Sequence, residues 1–199
     1  MLELVLATRN RHKVAELRVL LKEVAVLFDL SEYPQMPEVE ETGATFLENA
    51  ILKAEAVAGY TGKMALADDS GLEVDALGGT PGVLSARYAG PGATDAENRA
   101  KLLAAMAHVP SHERTARFVC AVAIAVPGKP TWTTIGTHEG RITYAEIGEN
   151  GFGYDSLFYS PTFGATFAQV DMARKNEESH RGRAMAQVVS YLHKRLKTE

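Results

Sequence analysis

The chain opens on an apolar-rich run, LELVLA, that reads as a strand over residues 2–7. Over 11–24 the period changes. Val14, Leu17, Leu20, Leu21 and Val24 recur at helical spacing and predict an amphipathic helix. The segment 31–41, SEYPQMPEVEE, sets two prolines among acids and reads as a loop. A second helix is predicted over 45–59. Thr45 and Glu48 stand at capping-box spacing, and Leu47, Ala50, Ile51 and Ala54 supply its buried face. Gly59 and Gly62 close it. A strand over 63–68 is expected to end on Asp68, Asp69, Ser70 and Gly71.

A Gly/Pro-rich loop over 78–93 follows, interrupted by VLSARYAG. Thr94 and Glu97 again fit a capping box, ahead of a helix over 95–108. TARFVCAVAIAV is a long strand, turned by Pro127 and Gly128 toward an antiparallel partner, TWTTIGTHEG. GENGFGYD is a glycine-rich loop and SLFY a short strand. The last helix is expected over 180–196, with Met185, Val188, Val189, Leu192 and Leu196 facing inward. This order of elements predicts an α/β fold, a mixed sheet flanked by helices.

Composition narrows the function classes. A chain of 199 residues that is 46% hydrophobic can bury a large core as one domain or two closely joined lobes. The formal net charge of −4 supplies no basic field for nucleic acid, so no nucleic-acid partner is expected. The single Cys120 excludes an internal disulfide and a cysteine-built zinc site, and its apolar setting reads as core. No apolar run approaches the roughly 20 residues of a membrane span, and the start lacks a basic signal-peptide region. No membrane partner and a cytoplasmic placement are the expectations.

Five stretches carry candidate chemistry. ATRNRHK, residues 7–13, joins the first strand to the first helix, where free N–H groups and a positive dipole end suit phosphate. The same residues also fit a helix capped by Asn10 with solvated basic neighbours. Glu40 and Glu41 precede a helix, where acids complement the dipole or offer oxygens to Mg²⁺. Lys53, on that helix, is a surface lysine or a phosphate ligand. Asp68 and Asp69 close an apolar strand, and side chains alternate along a strand, so both aim at one site only if the strand ends between them; if one is catalytic, the other caps a loop or pairs elsewhere, and a plain Asp-Ser-Gly turn is the alternative. An acid at a strand's carboxyl end can hold a metal or take a proton from water. GFGYD can present Phe152 for stacking on a base or bury it as an anchor. RKNEESHRGRAM is a charged helix start or a ligand-facing one, with Lys175, His180 and Arg181 at its head.

LATRNRHKVAELRVLL, EETGATFLENAILKA, ADDSGLEVDALGGTPGVLSARYAG, GFGYD and SHRGRAM occur in this order along nearly the whole chain. Together they resemble the inosine triphosphate pyrophosphatase family, also called Ham1-like, and most of all its bacterial dITP/XTP pyrophosphatases. The resemblance implies a long, twisted mixed sheet flanked by helices, two lobes with a central cleft that holds the active site, and a homodimer. It implies hydrolysis of the deaminated purine nucleoside triphosphates ITP, dITP and XTP to monophosphate and pyrophosphate with Mg²⁺, which cleanses the nucleotide pool. By position, Thr8, Arg9, Asn10, Arg11, His12 and Lys13 would hold the triphosphate. Asp69 would bind Mg²⁺ and act as general base, with Glu40 or Glu41 on the metal and Lys53 at the phosphates. Ser70 would hydrogen-bond the nucleotide. Phe152, Gly153, Tyr154 and Asp155 would contact base and ribose, and Lys175, His180 and Arg181 would read the base edge. Two positions depart from the family. Arg9 stands where a small or amide residue is usual, and Ser156 stands where proline usually follows the GFGYD aspartate. A pyrophosphatase of the Maf-like group and a non-catalytic nucleotide sensor are the competing readings.

Overall fold

The computed structural model describes residues 2–197. In chain order its elements are β1 (Leu2–Leu6), α1 (Arg11–Leu21), β2 (Ala25–Asp29), α2 (Phe46–Thr61), β3 (Ala65–Val74), α3 (Asp95–Ala105), β4 (Thr115–Ala125), β5 (Trp132–Ile142), β6 (Phe158–Ser160), β7 (Ala165–Thr166), α4 (Met172–Glu178) and α5 (His180–Leu196). The seven strands form one sheet in the order β2-β1-β3-β4-β5-β6-β7. β1 runs parallel to both β2 and β3, whereas β6 pairs antiparallel with β5 and β7. The sheet is therefore mixed and flanked by helices, the α/β class the pattern predicts.

The caps work as their residue types dictate. Asn10 Oδ1 accepts from the N–H groups of His12 and Lys13 at 3.0 and 3.3 Å, starting α1. Thr45 with Glu48 and Thr94 with Glu97 close reciprocal capping boxes on α2 and α3.

Three departures from the pattern matter. α1 stops at Leu21, and the AVLFD run after it is a strand, β2, in register with β1 from Leu2↔Ala25 to Leu6↔Asp29. A neighbouring strand, not the local period, decides that segment. β3 does not end at Asp68. It continues to Val74, because β4 lies along its other edge in the sheet and Leu72 and Val74 are buried, whereas β1 pairs with it only at Ala65 and Leu66. The charged run before α5 contains a helix of its own, α4, capped by Asp171, whose carboxylate accepts from Arg174 N at 2.8 Å.

The chain divides into two compact units. Unit 1 holds the chain up to Asp69, Cys120–Gly136 and the chain from Arg181 onward. Its core joins Leu4 and Leu6 of β1, Leu17 and Leu21 of α1, Val122 and Ile124 of β4, and Met185, Val188 and Leu192 of α5. Cys120 is buried there, as expected, and burial pushes its thiol up to about 12, so it stays protonated. Leu196 is 40% exposed, against the inward position its spacing suggests. Unit 2 holds Ser70–Val119 and Thr137–His180. Its core is aromatic: Phe118, Phe158 and Phe167 pack with Leu72, Leu102 and Met106. Among the described residues no helix is long and apolar enough to cross a membrane.

Candidate functional site

Because β3 runs on through Asp68 and Asp69, its alternation sends the two carboxylates to opposite faces. Asp68 is 1% exposed and does not support a turn. It meets Lys13 Nζ at 3.1 Å, and it accepts from Arg181 Nη2 and Nε at 3.1 and 3.3 Å. Burial alone would raise its pKa, but Lys13, Arg181 and Lys53 together outweigh burial and hold it far below the usual carboxylate range. Arg181 Nη1 donates to Glu16 at 2.5 Å. The guanidinium expected at a base edge is thus spent on two buried carboxylates. A charge 2% exposed demands such partners, and α1 and β3 supply them.

Asp69 faces α2. Its Oδ2 accepts from Asn49 Nδ2 at 3.1 Å and its Oδ1 from Lys53 Nζ at 3.3 Å. Lys53 also donates to Glu41 at 2.8 Å and to the Asp68 carbonyl at 2.9 Å. Asn49 and Lys53 are four residues apart on α2, so one helix face delivers both. Gly43 fixes the amide: its N–H donates to Asn49 Oδ1 at 2.7 Å, which turns Nδ2 toward Asp69. A Cβ at position 43 would lie 2.7 Å from that same oxygen, so only glycine permits the approach. Burial pushes the Asp69 carboxyl up and Glu41 adds to the push, while Lys53, Lys13 and Asn49 pull it down. The net direction is upward. Burial would lower the Lys53 ammonium, but Asp69, Asp68 and Glu41 reverse this and keep it charged.

The loop at the head of α1 is less committed. Thr8 Oγ1 accepts from Asn10 N at 3.2 Å. Arg9 reaches sideways and donates from Nη2 to the Met36 carbonyl at 2.7 Å. Arg11 and His12 are exposed. Of the loop's basic residues, Lys13 alone turns inward, to Asp68. Glu40 is exposed, whereas Glu41 turns to Lys53. Ser70 lies half-buried in β3.

Unit 2 gathers the other candidates. Gly151 takes φ +76°, a left-handed conformation that favours glycine, and a Cβ there would run into Asp155 Oδ2. Asp155 folds back to accept from Phe152 N at 3.0 Å and from Lys175 Nζ at 2.7 Å. The lysine sits 5.2 Å from the centre of the Phe152 ring. Tyr154 is a core residue, 4% exposed, with its hydroxyl donating to the Ser85 carbonyl at 2.8 Å. Burial raises its phenol, which stays protonated. His180 stacks on Phe118 with ring centres 4.8 Å apart.

A divalent cation suits the unit 1 cluster. Glu16, Glu41, Asp68 and Asp69 face Lys13, Lys53 and Arg181, which leaves an excess negative charge. The charge of Glu41 is close enough to raise the cost of ionising Asp69. Both offer the hard carboxylate oxygens that Mg²⁺ prefers, in the small number it takes when water and phosphate complete its shell. No group of three or more acidic, histidine or cysteine ligands occurs among the described residues.

Glu16, Asn49, Gly43 and the buried role of Asp68 escape a reading of motifs alone. The four-residue spacing of Asn49 and Lys53 was the available signal for one of them.

Comparison with known proteins gives a consistent result. The sequence model described as Ham1 family matches residues 4–191. A dITP/XTP pyrophosphatase of Desulforamulus reducens is 52% identical over 97% of this chain and 96% of that protein. One of Geobacillus kaustophilus is 50% identical over 94% and 93%. A HAM1 protein structure from Coxiella burnetii superimposes with a TM-score of 0.89 at 44% identity, covering 98% of this chain and all (100%) of the other. The Staphylococcus aureus Ham1 protein gives 0.88 at 41%, covering 97% and 99%.

Proposed function

The chain belongs to the Ham1 family, and from that premise we propose that it hydrolyses deaminated purine nucleoside triphosphates (ITP, dITP and XTP) to the monophosphate and pyrophosphate. The observation that carries the reading is Asp69: a carboxylate with a raised pKa, oriented by Asn49 and Lys53 and set beside Glu41. A carboxylate whose pKa is raised by burial takes a proton from water more effectively than an unperturbed one.

Water attacks the α-phosphorus and the bond from that phosphorus to the bridging oxygen breaks. Pyrophosphate leaves, and the water's proton passes to Asp69. Asp69 and Glu41 would hold Mg²⁺, which when bound supplies positive charge to the phosphates. Lys53 keeps its ammonium beside both acids and counters the charge that develops on the transferred group. The exposed Arg11 and His12, with Thr8, Arg9 and the free N–H groups at the head of α1, receive the phosphate chain. Lys13 and Arg181 act through Asp68, which fixes β3 and hence Asp69.

In unit 2 the purine stacks on Phe152. Lys175, held by Asp155, places N–H donors near that ring. A 6-oxo group accepts from such a donor. The 6-amino group of adenine cannot, and leaves donor facing donor in a buried place. His180, stacked on Phe118, adds to the base side, and Ser70 hydrogen-bonds the nucleotide. A homodimer and a cytoplasmic placement go with this reading, as does a role in clearing the nucleotide pool.

Product analysis with dITP, XTP, dGTP and dATP in the presence of Mg²⁺ tests it. Pyrophosphate released mainly from dITP and XTP is the expected result. Orthophosphate as first product moves the cut to the terminal phosphate and rejects the mechanism. The standard nucleotides dGTP or dATP as preferred substrates favour a Maf-like activity, and tight binding without turnover favours a sensor.

A further inference from the structure

The GFGYD loop leads into Ser156, and a chain of side-chain contacts in unit 2 holds the exit of that loop. Ser156 Oγ donates to Glu146 Oε2 at 3.1 Å. The same oxygen accepts from Arg99 Nε of α3 at 2.8 Å. Arg99 then spans to the loop itself and donates from Nη1 to the Gly153 carbonyl at 3.0 Å. The Gly153 N–H donates to Asp95, in the first turn of α3, at 2.7 Å. Both backbone groups of Gly153, the residue after Phe152, are therefore bound to α3. Glu146 ties that helix to the residue that follows Asp155.

We propose that Arg99, through Glu146, Ser156 and Gly153, is a positioning residue that sets the Phe152 loop for purine binding. The inference rests on the reading that Phe152 receives the base. The clamp touches neither the acids of unit 1 nor any group that receives a proton, so its loss acts on substrate affinity and not on the chemical step. Its parts suit a fixing device. Guanidinium is planar and donates along two edges at once, to a carboxylate and to a carbonyl. The Arg99 side chain is 20% exposed and Glu146 44%, so water weakens the ion pair, and the part-buried bond from Arg99 to the Gly153 carbonyl is the firmer hold on the loop.

The test compares wild type with Arg99→Ala and Arg99→Lys. In Arg99→Ala, KM for dITP should rise about fivefold or more, the equivalent of one or two lost hydrogen bonds, with kcat within about twofold. Arg99→Lys keeps one donor and the charge, and should recover part of the KM. Amide hydrogen exchange at Gly153 should quicken about tenfold in Arg99→Ala, while amides of the unit 1 core keep their protection. An unchanged KM and unchanged Gly153 exchange would overturn the clamp. So would a fall in kcat matched by general loss of protection, since that marks a merely structural residue. If wild type fails to turn over dITP, the functional reading falls, and the Gly153 exchange still reports whether Arg99 holds the loop.

Discussion

Asp69 in unit 1 and Asp155 in unit 2 each meet a lysine, Lys53 at 3.3 Å and Lys175 at 2.7 Å. Lys53 divides its donors among Asp69, Glu41 and the Asp68 carbonyl, so no carboxylate there has an ammonium to itself. Burial then prevails and the Asp69 carboxyl is raised. Lys175 and Asp155 are each 6% exposed at a shorter distance, and Asp155 spends the same oxygen on holding Phe152 N. One arrangement leaves a carboxylate short of positive charge and ready for a proton. The other closes a loop around a satisfied pair. The same two residue types give a reactive group or a brace, according to how many acids share the lysine.

The strongest way to break this comparison is to remove each carboxylate. Asp69→Asn keeps the shape and a contact for Asn49, and should lower kcat by about 10²–10⁴-fold. Its unfolding free energy in urea should stay within about 1 kcal/mol of wild type, because a raised pKa means the ionised form contributes little stability. Asp155→Ala should do the reverse in kind. It leaves the Lys175 ammonium buried without its carboxylate, at a cost of about 3–5 kcal/mol in urea unfolding. Equal losses of stability in the two variants would show that Asp69 is a brace as well.

Much of this frame was legible in the sequence. The capping residues Asn10, Thr45 and Thr94 announced three helix starts, because a side-chain oxygen at that place meets free N–H groups in any fold. The alternation rule placed Asp68 and Asp69 on opposite faces. It did not show that β3 continues, since Ser70 and Gly71 mimic a turn and only the neighbouring strand β4 overrules them. β2 was hidden for a similar reason: its partner β1 lies more than 18 residues away in the chain. The run RKNEESHR looked like a solvated helix head. Lys175, Asn176 and Arg181 are instead buried, and Asp155, Asp68 and Glu16, distant in sequence, neutralise the two charges among them. Pairing over such distances leaves no local period to read.

Acid sharpens the contrast between the neighbouring aspartates. Asp69 has a folded pKa above its unfolded value near ~3.9, so it protonates first as pH falls, and its proton is favoured by the folded state. Asp68 has a folded pKa far below that value, so its stabilisation is complete above about pH 4 and is lost only as pH falls further. The expected pH profile of kcat/KM therefore falls about tenfold per unit on an acid limb displaced upward from that of an unperturbed aspartate. Over that limb the urea midpoint should show no loss traceable to Asp68. An acid limb at pH 4 or below would place the essential base elsewhere.

The smallest expected effect separates two adjacent glutamates. Glu41 donates nothing and accepts from Lys53 at 2.8 Å, on the side of Asp69; Glu40 is exposed. If Mg²⁺ is held by Asp69 and Glu41, Glu41→Gln removes one of two charged oxygen ligands and should raise the Mg²⁺ concentration for half-maximal activity by about tenfold. Glu40→Gln should leave it within about twofold, since an exposed charge outside the cluster acts only through screened, long-range attraction. Titrating Mg²⁺ at fixed dITP reads both. The reverse order would mean that the loop turns over when nucleotide binds and presents Glu40, and that the Glu41–Lys53 pair belongs to the resting protein alone.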